Sequence, residues 1–213
     1  MDMRRLGRSE LKIAPLVLGT NVFGWTGDEK TSFAILQAFE DGGFNALDTA
    51  DVYSRWSPAG AGASETVIGN WIAQGGGRRE KIVLATKVGS EMGEGMKGLS
   101  ARYIEQAVEA SLQRLKTDRI DLYQSHRDDP DTPQDETAEA YARLVKAGKV
   151  RVIGSSNFTP ERLKSALDAA QAAGAPRYES EQPLYNLYDR AGFEAGLQKL
   201  CIEEEVGDRK SVV

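Results

Sequence analysis

Residues 44–53, which read FNALDTADVY, are the stretch of the sequence that decides the fold. A short and mostly apolar run ends in a carboxylate at Asp48, and Tyr53 follows in a segment without apolar periodicity. Gly42 and Gly43 stand directly before the run and end any helix that precedes it. This arrangement predicts a buried strand that begins after a helix and ends in a polar loop.

The same pattern recurs along the chain in both directions from this stretch. Helical patterns separate compact apolar runs that end in polar residues or glycine, and the six predicted strands are residues 16–20, 44–48, 82–87, 120–126, 150–156 and 178–182. Alternating strands and helices require parallel strands that are joined by right-handed crossovers. The pattern alone leaves two architectures open, a doubly wound sheet and a closed barrel.

The predicted helices carry ordinary start and stop signals. Helix starts are predicted after Ser100 and after Thr159, because the hydroxyl of each can accept a hydrogen bond from a free amide of the first turn. Pro160 suits the first helical position after Thr159. Helix ends are predicted at Gly42 and Gly148.

Length and composition predict one domain over residues 1–213. The chain is 40% hydrophobic and 28% charged, which is typical of a globular protein. It opens with two short apolar-polar segments, residues 3–6 and 11–14, which predict an N-terminal β-hairpin. Cys201 is the only cysteine, so intrachain disulfides and thiolate metal clusters are excluded.

Charge and hydropathy argue against two classes of partner. The net charge is -5 and no basic cluster falls on a predicted helix face, so we expect no nucleic-acid binding. No apolar run approaches the roughly 20 residues of a spanning helix, and the first residues do not resemble a signal peptide. We therefore expect a cytoplasmic protein without a membrane segment.

Four chemically active side chains follow neighbouring strands. Asp48, Lys87 and His126 end the second, third and fourth predicted strands, and Tyr53 lies in the loop after Asp48. Because the carboxyl ends of parallel strands face one edge of the sheet, we expect these side chains to meet. Each one alone has a structural explanation, such as an Asx turn or a half-buried aromatic ring. Together they favour a functional site, since a lysine at the end of an apolar strand needs a counter-ion and Asp48 supplies one.

Five motifs, taken together, resemble the aldo-keto reductase family. They are DTADVY at 48–53, ATKVG at 85–89, LYQSHR at 122–127, GSSNF at 154–158 and QPLYN at 182–186. They occur in the family's order and spacing, and the resemblance covers residues 1–205. It implies an α/β fold of the TIM-type (β/α)8 barrel class, present here as an incomplete barrel of about six βα units whose bottom is closed by the hairpin.

The resemblance also implies a role for each active side chain. A hydride passes from NADPH to the carbonyl carbon of an aldehyde or ketone, and Tyr53 protonates the oxygen. Lys87 stabilises the phenolate that remains, Asp48 pairs with Lys87, and His126 hydrogen-bonds the substrate oxygen. No metal site is implied. The implied cofactor-binding residues are Gly19, Thr20, Asp48, Ser156, Asn157 and Gln182.

The sequence departs from the family near its end. An eight-stranded barrel typically needs about 250 residues, and the segment 208–213 does not resemble the family's seventh strand. We therefore expect a chain that lacks the last two βα units, with unpaired edges on its first and sixth strands that lead to self-association. Because the family's later loops hold the cofactor phosphates, we also expect weak NADPH binding and no sequence signal that separates NADPH from NADH.

Three interpretations of the function remain open. The chain is a carbonyl reductase that uses NADPH, a cofactor-sensing binding subunit like the potassium-channel β subunits of this fold, or an inactive truncated fragment. The segment GEGMKG at 93–98 fits a dinucleotide-binding pattern, but five residues separate it from Lys87, so a Rossmann site is not favoured. Phe23, Trp25 and Trp56 are candidate walls of a substrate pocket, or else ordinary core and surface aromatics.

Overall fold

Seven parallel strands form one sheet that curls into a partial barrel. A computed structural model describes residues 2–209, and the strands of the sheet are neighbours in chain order. Numbered after the two hairpin strands, they are β3 (Val17–Gly19), β4 (Ala46–Asp48), β5 (Val83–Val88), β6 (Ile120–Ser125), β7 (Val150–Ser156), β8 (Tyr178–Gln182) and β9 (Gly207–Asp208). Every neighbouring pair is parallel, so the carboxyl ends of all seven strands lie at the same end of the barrel.

The N-terminal hairpin covers the other end of the barrel. In it, β1 (Arg4–Arg5) pairs antiparallel with β2 (Lys12–Ile13). Asn45, which directly precedes β4, accepts a hydrogen bond from the Ala14 amide at 2.9 Å and donates to the Lys12 carbonyl at 3.0 Å. These contacts place the hairpin at the amino ends of the strands. The predicted hairpin is confirmed.

Helices alternate with the strands and cover the outside of the sheet. They are α1 (Glu29–Asp41), α2 (Ala63–Ile72), α3 (Arg78–Lys81), α4 (Ala101–Leu115), α5 (Gln134–Lys146), α6 (Pro160–Ala173) and α7 (Gln198–Glu203), which continues a π-helical turn at Phe193–Leu197. The side chains of Ser100 and Thr159 accept the amides of Tyr103 and Arg162, which confirms both predicted N-caps. No helix within residues 2–209 has the length and apolar character that crossing a membrane requires.

Alternate residues of each strand point into the barrel. Leu47 packs outward in the main core, whereas Ala85 and Leu122 pack inward against the hairpin. Because successive side chains of a strand face opposite sides of the sheet, Asp48 on β4 and Lys87 on β5 both face the barrel interior. The fold therefore points the predicted carboxylate and amine toward each other.

The sheet departs from the sequence prediction at its last strand. The six predicted strands are present and a helix follows each one, but β9 pairs with β8, where we expected an unpaired edge. The Arg209 amide continues this pairing by donating to the Glu181 carbonyl at 2.8 Å. A strand of one glycine and one aspartate carries no apolar pattern, so the open backbone groups of β8, rather than hydrophobic periodicity, define it.

Close packing of α2 on the end of α4 depends on Gly69. A Cβ atom at this position would lie 2.1 Å from the Arg114 carbonyl oxygen and 2.9 Å from Leu115 Cα. We expect Gly69→Ala to lower the free energy of unfolding by about 3 kcal/mol in spite of alanine's better helix propensity, because the backbone of α4 must move. Urea unfolding measures the difference. Gly192→Ala is the matched control, since its Cβ would meet no atom of the described residues within 4 Å. Equal stability of the two variants would contradict the prediction.

Candidate active site

Lys87 is the centre of a buried polar cluster inside the barrel. Its side chain is 1% exposed. Its Nζ donates to Asp48 Oδ2 at 2.7 Å, to the Thr49 carbonyl at 2.9 Å and to the Tyr53 hydroxyl at 2.9 Å. An ammonium group has three protons to donate, and these contacts use all of them. The structure therefore brings together the carboxylate, the amine and the phenol that the sequence singled out.

Asp48 carries a buried carboxylate that two cations share. Its Oδ2 faces Lys87, and its Oδ1 lies 2.9 Å from Nη2 of Arg209. Nε2 of Gln182 adds a longer contact of 3.4 Å to Oδ2. Burial works against the charge of this carboxylate, but Lys87 and Arg209 outweigh burial and hold the pKa of Asp48 below its ordinary value. Asp48 is thus an ionised anchor for Lys87.

Tyr53 lies between Lys87 and His126. Its ring centroid is 4.5 Å from Lys87 Nζ and 5.7 Å from the His126 ring centroid, and the two rings meet edge to face. Burial raises the pKa of the Tyr53 hydroxyl above its ordinary value of 10.0, while Lys87 acts in the opposite direction. The hydroxyl is therefore protonated at neutral pH, and the lysine offsets part of the cost of the phenolate.

His126 is a neutral imidazole at the end of β6. Burial, and after it the positive charge of Lys87, lower the pKa of His126 to about 3. Its Nδ1 is buried and has no hydrogen-bond partner among residues 2–209. Its backbone amide donates to the Val88 carbonyl at 2.8 Å, which holds the residue beside β5. A neutral imidazole can donate one hydrogen bond without adding a charge, which suits the orientation of a carbonyl oxygen.

Three of the predicted cofactor residues form a cluster beside His126. Ser156 Oγ donates to the Gln182 carbonyl at 2.8 Å. Asn157 Nδ2 donates to Ser156 Oγ at 3.0 Å and to the His126 carbonyl at 3.0 Å. The backbone of Asn157 has a φ of 60°, in the left-handed region that asparagine tolerates better than most residues. These contacts join the ends of β7 and β8 to His126.

Gly19 and Thr20 lie at the end of β3 but differ in solvent exposure. Thr20 is fully buried, and its hydroxyl contacts the Asp48 carbonyl at 2.9 Å and Ser64 Oγ at 2.9 Å. Gly19 is exposed, and a Cβ there would meet no atom of residues 2–209 within 4 Å. That both residues line the cofactor stays a prediction, and the open surface favours Gly19 for that contact.

Two interior residues, Gln124 and Arg209, were not predicted from the sequence. Gln124 Oε1 accepts a hydrogen bond from Arg209 Nη1 at 2.9 Å. A signal for Gln124 was present, because it is a polar residue two positions after the inward-facing Leu122 on an apolar strand. Arg209 has no comparable signal, since its burial depends on the pairing of β9 with β8.

The three candidate pocket aromatics divide into core and surface. Phe23 is 2% exposed and belongs to the main core, so it is not a pocket wall. Trp25 and Trp56 are 47% and 75% exposed, and their ring centroids lie 5.9 Å apart. They stand on the loops after β3 and β4, at the same end of the barrel as Tyr53. This pair keeps its place as a candidate wall for a substrate.

Comparison with known proteins decides the family. Residues 15–207 match the sequence model of the aldo/keto reductase family. The chain belongs to this family. It is 45% identical over 196 residues to the uncharacterized oxidoreductase YrpG of Bacillus subtilis (strain 168), which covers 89% of this chain and 60% of that protein. It is 39% identical over 197 residues to the aldo-keto reductase YhdN of the same strain, which covers 89% of this chain and 55% of that protein.

A further relative of this family member has a different name. The chain is 34% identical over 209 residues to a probable voltage-gated potassium channel subunit beta of Arabidopsis thaliana, which covers 97% of this chain and 62% of that protein. The chain thus spans about three fifths of the length of the curated relatives it matches. The family resemblance that rested on five motifs is confirmed.

Proposed function

We propose that this member of the aldo/keto reductase family reduces aldehydes or ketones to alcohols, with NADPH as hydride donor and Tyr53 as proton donor. The observation that carries the proposal is the 2.9 Å contact between Lys87 Nζ and the Tyr53 hydroxyl, made by a lysine that Asp48 holds in place. A simple ion pair would satisfy Lys87 and Asp48 without a phenol. The additional contact places the Tyr53 hydroxyl, the proposed proton donor, beside the Lys87 ammonium. The ammonium can then stabilise the phenolate that remains after proton transfer.

The proposed reaction balances on this site. When bound, NADPH supplies a hydride, and with it two electrons, to the carbonyl carbon. The proton of the Tyr53 hydroxyl moves to the carbonyl oxygen and completes the alcohol. Lys87 stabilises the phenolate, which regains a proton from solvent. His126 donates a hydrogen bond to the same oxygen and orients the carbonyl for attack.

Asp48, Tyr53, Lys87 and His126 form a tetrad, and the residues beside this tetrad fit a nicotinamide carboxamide. Both amide protons of Asn157 are used inside the protein, so its Oδ1 remains as the acceptor for a carboxamide N–H. Asn157 is also exposed, as a ligand contact requires. Gln182 differs, because its side-chain amide already contacts Asp48 and Gln124. Direct binding of the cofactor by the Gln182 side chain therefore requires one of these contacts to open.

The proposed substrate is a small carbonyl compound with an apolar or aromatic body. The exposed pair Trp25 and Trp56 supports this class, because aromatic rings stack well on such a body.

Within residues 2–209, the outer edges of β3 and β9 have no strand partner. We propose that copies of the chain associate through these edges, since unpaired backbone groups invite pairing.

Turnover of nitrobenzaldehyde by the purified chain tests the proposal. We expect NADPH to be oxidised only when aldehyde is present, with nitrobenzyl alcohol formed in an amount equal to the NADPH consumed. A parallel series with NADH measures the cofactor preference. Binding of NADPH without turnover would instead favour a cofactor-sensing subunit, and neither binding nor turnover at saturating aldehyde would contradict the proposal.

A further inference from the structure

Four side chains close a ring of hydrogen bonds inside the barrel. Arg209 Nη2 lies 2.9 Å from Asp48 Oδ1, and Arg209 Nη1 lies 2.9 Å from Gln124 Oε1. Gln124 Nε2 then donates to Gln182 Oε1 at 3.2 Å, and Gln182 Nε2 returns to Asp48 Oδ2 at 3.4 Å. The ring joins β4, β6 and β8 to the residue that follows β9. It therefore ties the last described strand to the anchor of Lys87.

Arg209 reaches this ring from the opposite side of the curled sheet. Its backbone amide pairs with the Glu181 carbonyl, and its side chain is 7% exposed. Inside the barrel, on the side of the hairpin, its side chain lies beside apolar side chains, among them Leu6 of the hairpin and Leu122 of β6. A guanidinium in such surroundings is costly unless it is fully paired, and Asp48 supplies the only carboxylate that contacts it within the described part of the chain.

The charges of the site do not cancel when Arg209 is counted. Asp48 carries one negative charge, Lys87 and Arg209 each carry a positive one, and His126 is neutral, so one positive charge is in excess. Without Arg209, the pair of Asp48 and Lys87 would be neutral. An excess positive charge in a buried site favours any anion that forms there. The anion that forms beside Lys87 in the proposed reaction is the phenolate of Tyr53.

We propose that Arg209 is a positioning residue for the tetrad: it holds Asp48 from inside the barrel and supplies the excess positive charge that favours the Tyr53 phenolate. This inference rests on the proposed function, because it assigns Arg209 a part in the transfer of the Tyr53 proton. Arg209 acts through Asp48 and through its field, and it has no contact with Tyr53 itself.

The direction of the electrostatic effect supports this role. Burial raises the pKa of Tyr53, and Arg209 acts with Lys87 to lower it. Arg209 also helps Lys87 to hold the pKa of Asp48 below its ordinary value against burial. A guanidinium keeps its charge at every accessible pH, so its field on Tyr53 does not depend on pH.

Titration of Tyr53 in Arg209 variants tests the inference. 3-Fluorotyrosine at position 53 reports the ionisation of that one hydroxyl through its ¹⁹F resonance, with no need for activity. Arg209→Gln removes the charge but keeps hydrogen-bonding groups for the ring, and we expect it to raise the pKa of residue 53 by about 1. Arg209→Lys restores the charge and is expected to recover most of that shift.

A second neutral replacement of Arg209 keeps the test valid if Arg209→Gln does not fold. Ligation of a synthetic peptide of residues 201–213 at Cys201 places citrulline, the neutral isostere of arginine, at position 209. The matched control is Arg79→Gln, because Arg79 is also a buried arginine paired with an aspartate, Asp121, at 2.8 Å, but has no contact with the tetrad. We expect the control to lose stability and to leave the Tyr53 titration unchanged.

The outcomes separate the inference from the proposed function. Equal titration curves for the wild type, Arg209→Gln and the citrulline protein would overturn the inference, as would a shift of the same size in Arg79→Gln. In turnover, we expect Arg209→Gln to lower kcat about ten-fold with little change in KM, and Arg209→Lys to restore kcat. If neither the wild type nor any variant oxidises NADPH, but the pKa of residue 53 shifts as expected in the ¹⁹F titration, the proposed function fails. The electrostatic effect of Arg209 on Tyr53 then still stands.

Discussion

Replacing Tyr53 with phenylalanine is expected to lower kcat for aldehyde reduction about a thousand-fold, the middle of the range for loss of a general acid. The substitution removes only the hydroxyl that lies 2.9 Å from Lys87 Nζ and keeps the ring that packs edge to face on His126. Water then has to protonate the developing oxyanion, because the positioned phenol is gone. Because nicotinamide and substrate contacts remain, the dissociation constant of NADPH should change by less than about two-fold.

Steady-state turnover and NADPH fluorescence titration measure the two quantities separately. Tyr188→Phe is the matched control, because it removes the same hydroxyl from a residue that is 93% exposed. We expect this control to keep the kcat of the wild type. A Tyr53→Phe enzyme that retains more than about a tenth of that kcat would show that another group donates the proton.

Asp51→Asn is expected to stabilise the protein, and to do so more strongly as the pH rises from about 4 to about 8. Asp51 is 1% exposed, and neither of its carboxylate oxygens has a hydrogen-bond partner among residues 2–209. Burial, followed by the nearby charge of Glu65, raises the pKa of Asp51 to about 8, while Arg114 acts in the opposite direction. The native state therefore favours the protonated acid.

The sign of the effect follows from proton linkage. In the unfolded chain an aspartate has a pKa near 4, so between about pH 4 and pH 8 the native state binds one more proton than the unfolded state. Stability is then greatest below the unfolded pKa and falls until the pH passes the folded value. Asparagine is neutral throughout and avoids this loss, so the gain at pH 9 should be on the order of 5 kcal/mol.

Urea unfolding from pH 4 to pH 9 checks this slope. Asp129→Asn is the control, because burial opposes the charge of Asp129 but hydrogen bonds from Leu99 and Thr132 prevail and lower its pKa. Above about pH 5, Asp129 of the wild type is ionised in both the folded and the unfolded state, so the stability difference between Asp129→Asn and the wild type should be constant there. If the stability difference between Asp51→Asn and the wild type is also constant, Asp51 is not protonated in the folded state and the prediction is wrong.

Local pattern was enough to predict most of the elements. Each of the six predicted apolar runs overlaps a strand, because a buried parallel strand needs a continuous apolar segment that ends in polar residues. The caps at Ser100 and Thr159 were predictable for the same reason, since a capping hydroxyl acts on amides within three residues of itself. β9 was missed because its backbone partner, not its own sequence, defines it.

The four residues of the tetrad could be predicted from the sequence, but the shifts of their pKa values could not. Strand ends placed Asp48, Lys87 and His126 at one level, and the structure brings them together with Tyr53. That Lys87 favours the Tyr53 phenolate stays a prediction, and the structure adds an opposing effect: burial acts more strongly on the pKa of Tyr53 than the lysine does. Burial depends on every element that surrounds the site, and no local window of sequence contains that information.

The sequence by itself determined the order of strands and helices, the side of each strand that carries the reactive groups, and the membership of the tetrad. These features depend on side-chain alternation and capping, which act over a few residues. Only the tertiary structure decided that Arg209 contacts Asp48, that the Thr20 hydroxyl contacts Ser64, and that the Asp51 carboxylate has no hydrogen-bond partner within residues 2–209. Such contacts join residues far apart in the chain, and their strength depends on the low dielectric that the finished barrel creates around them.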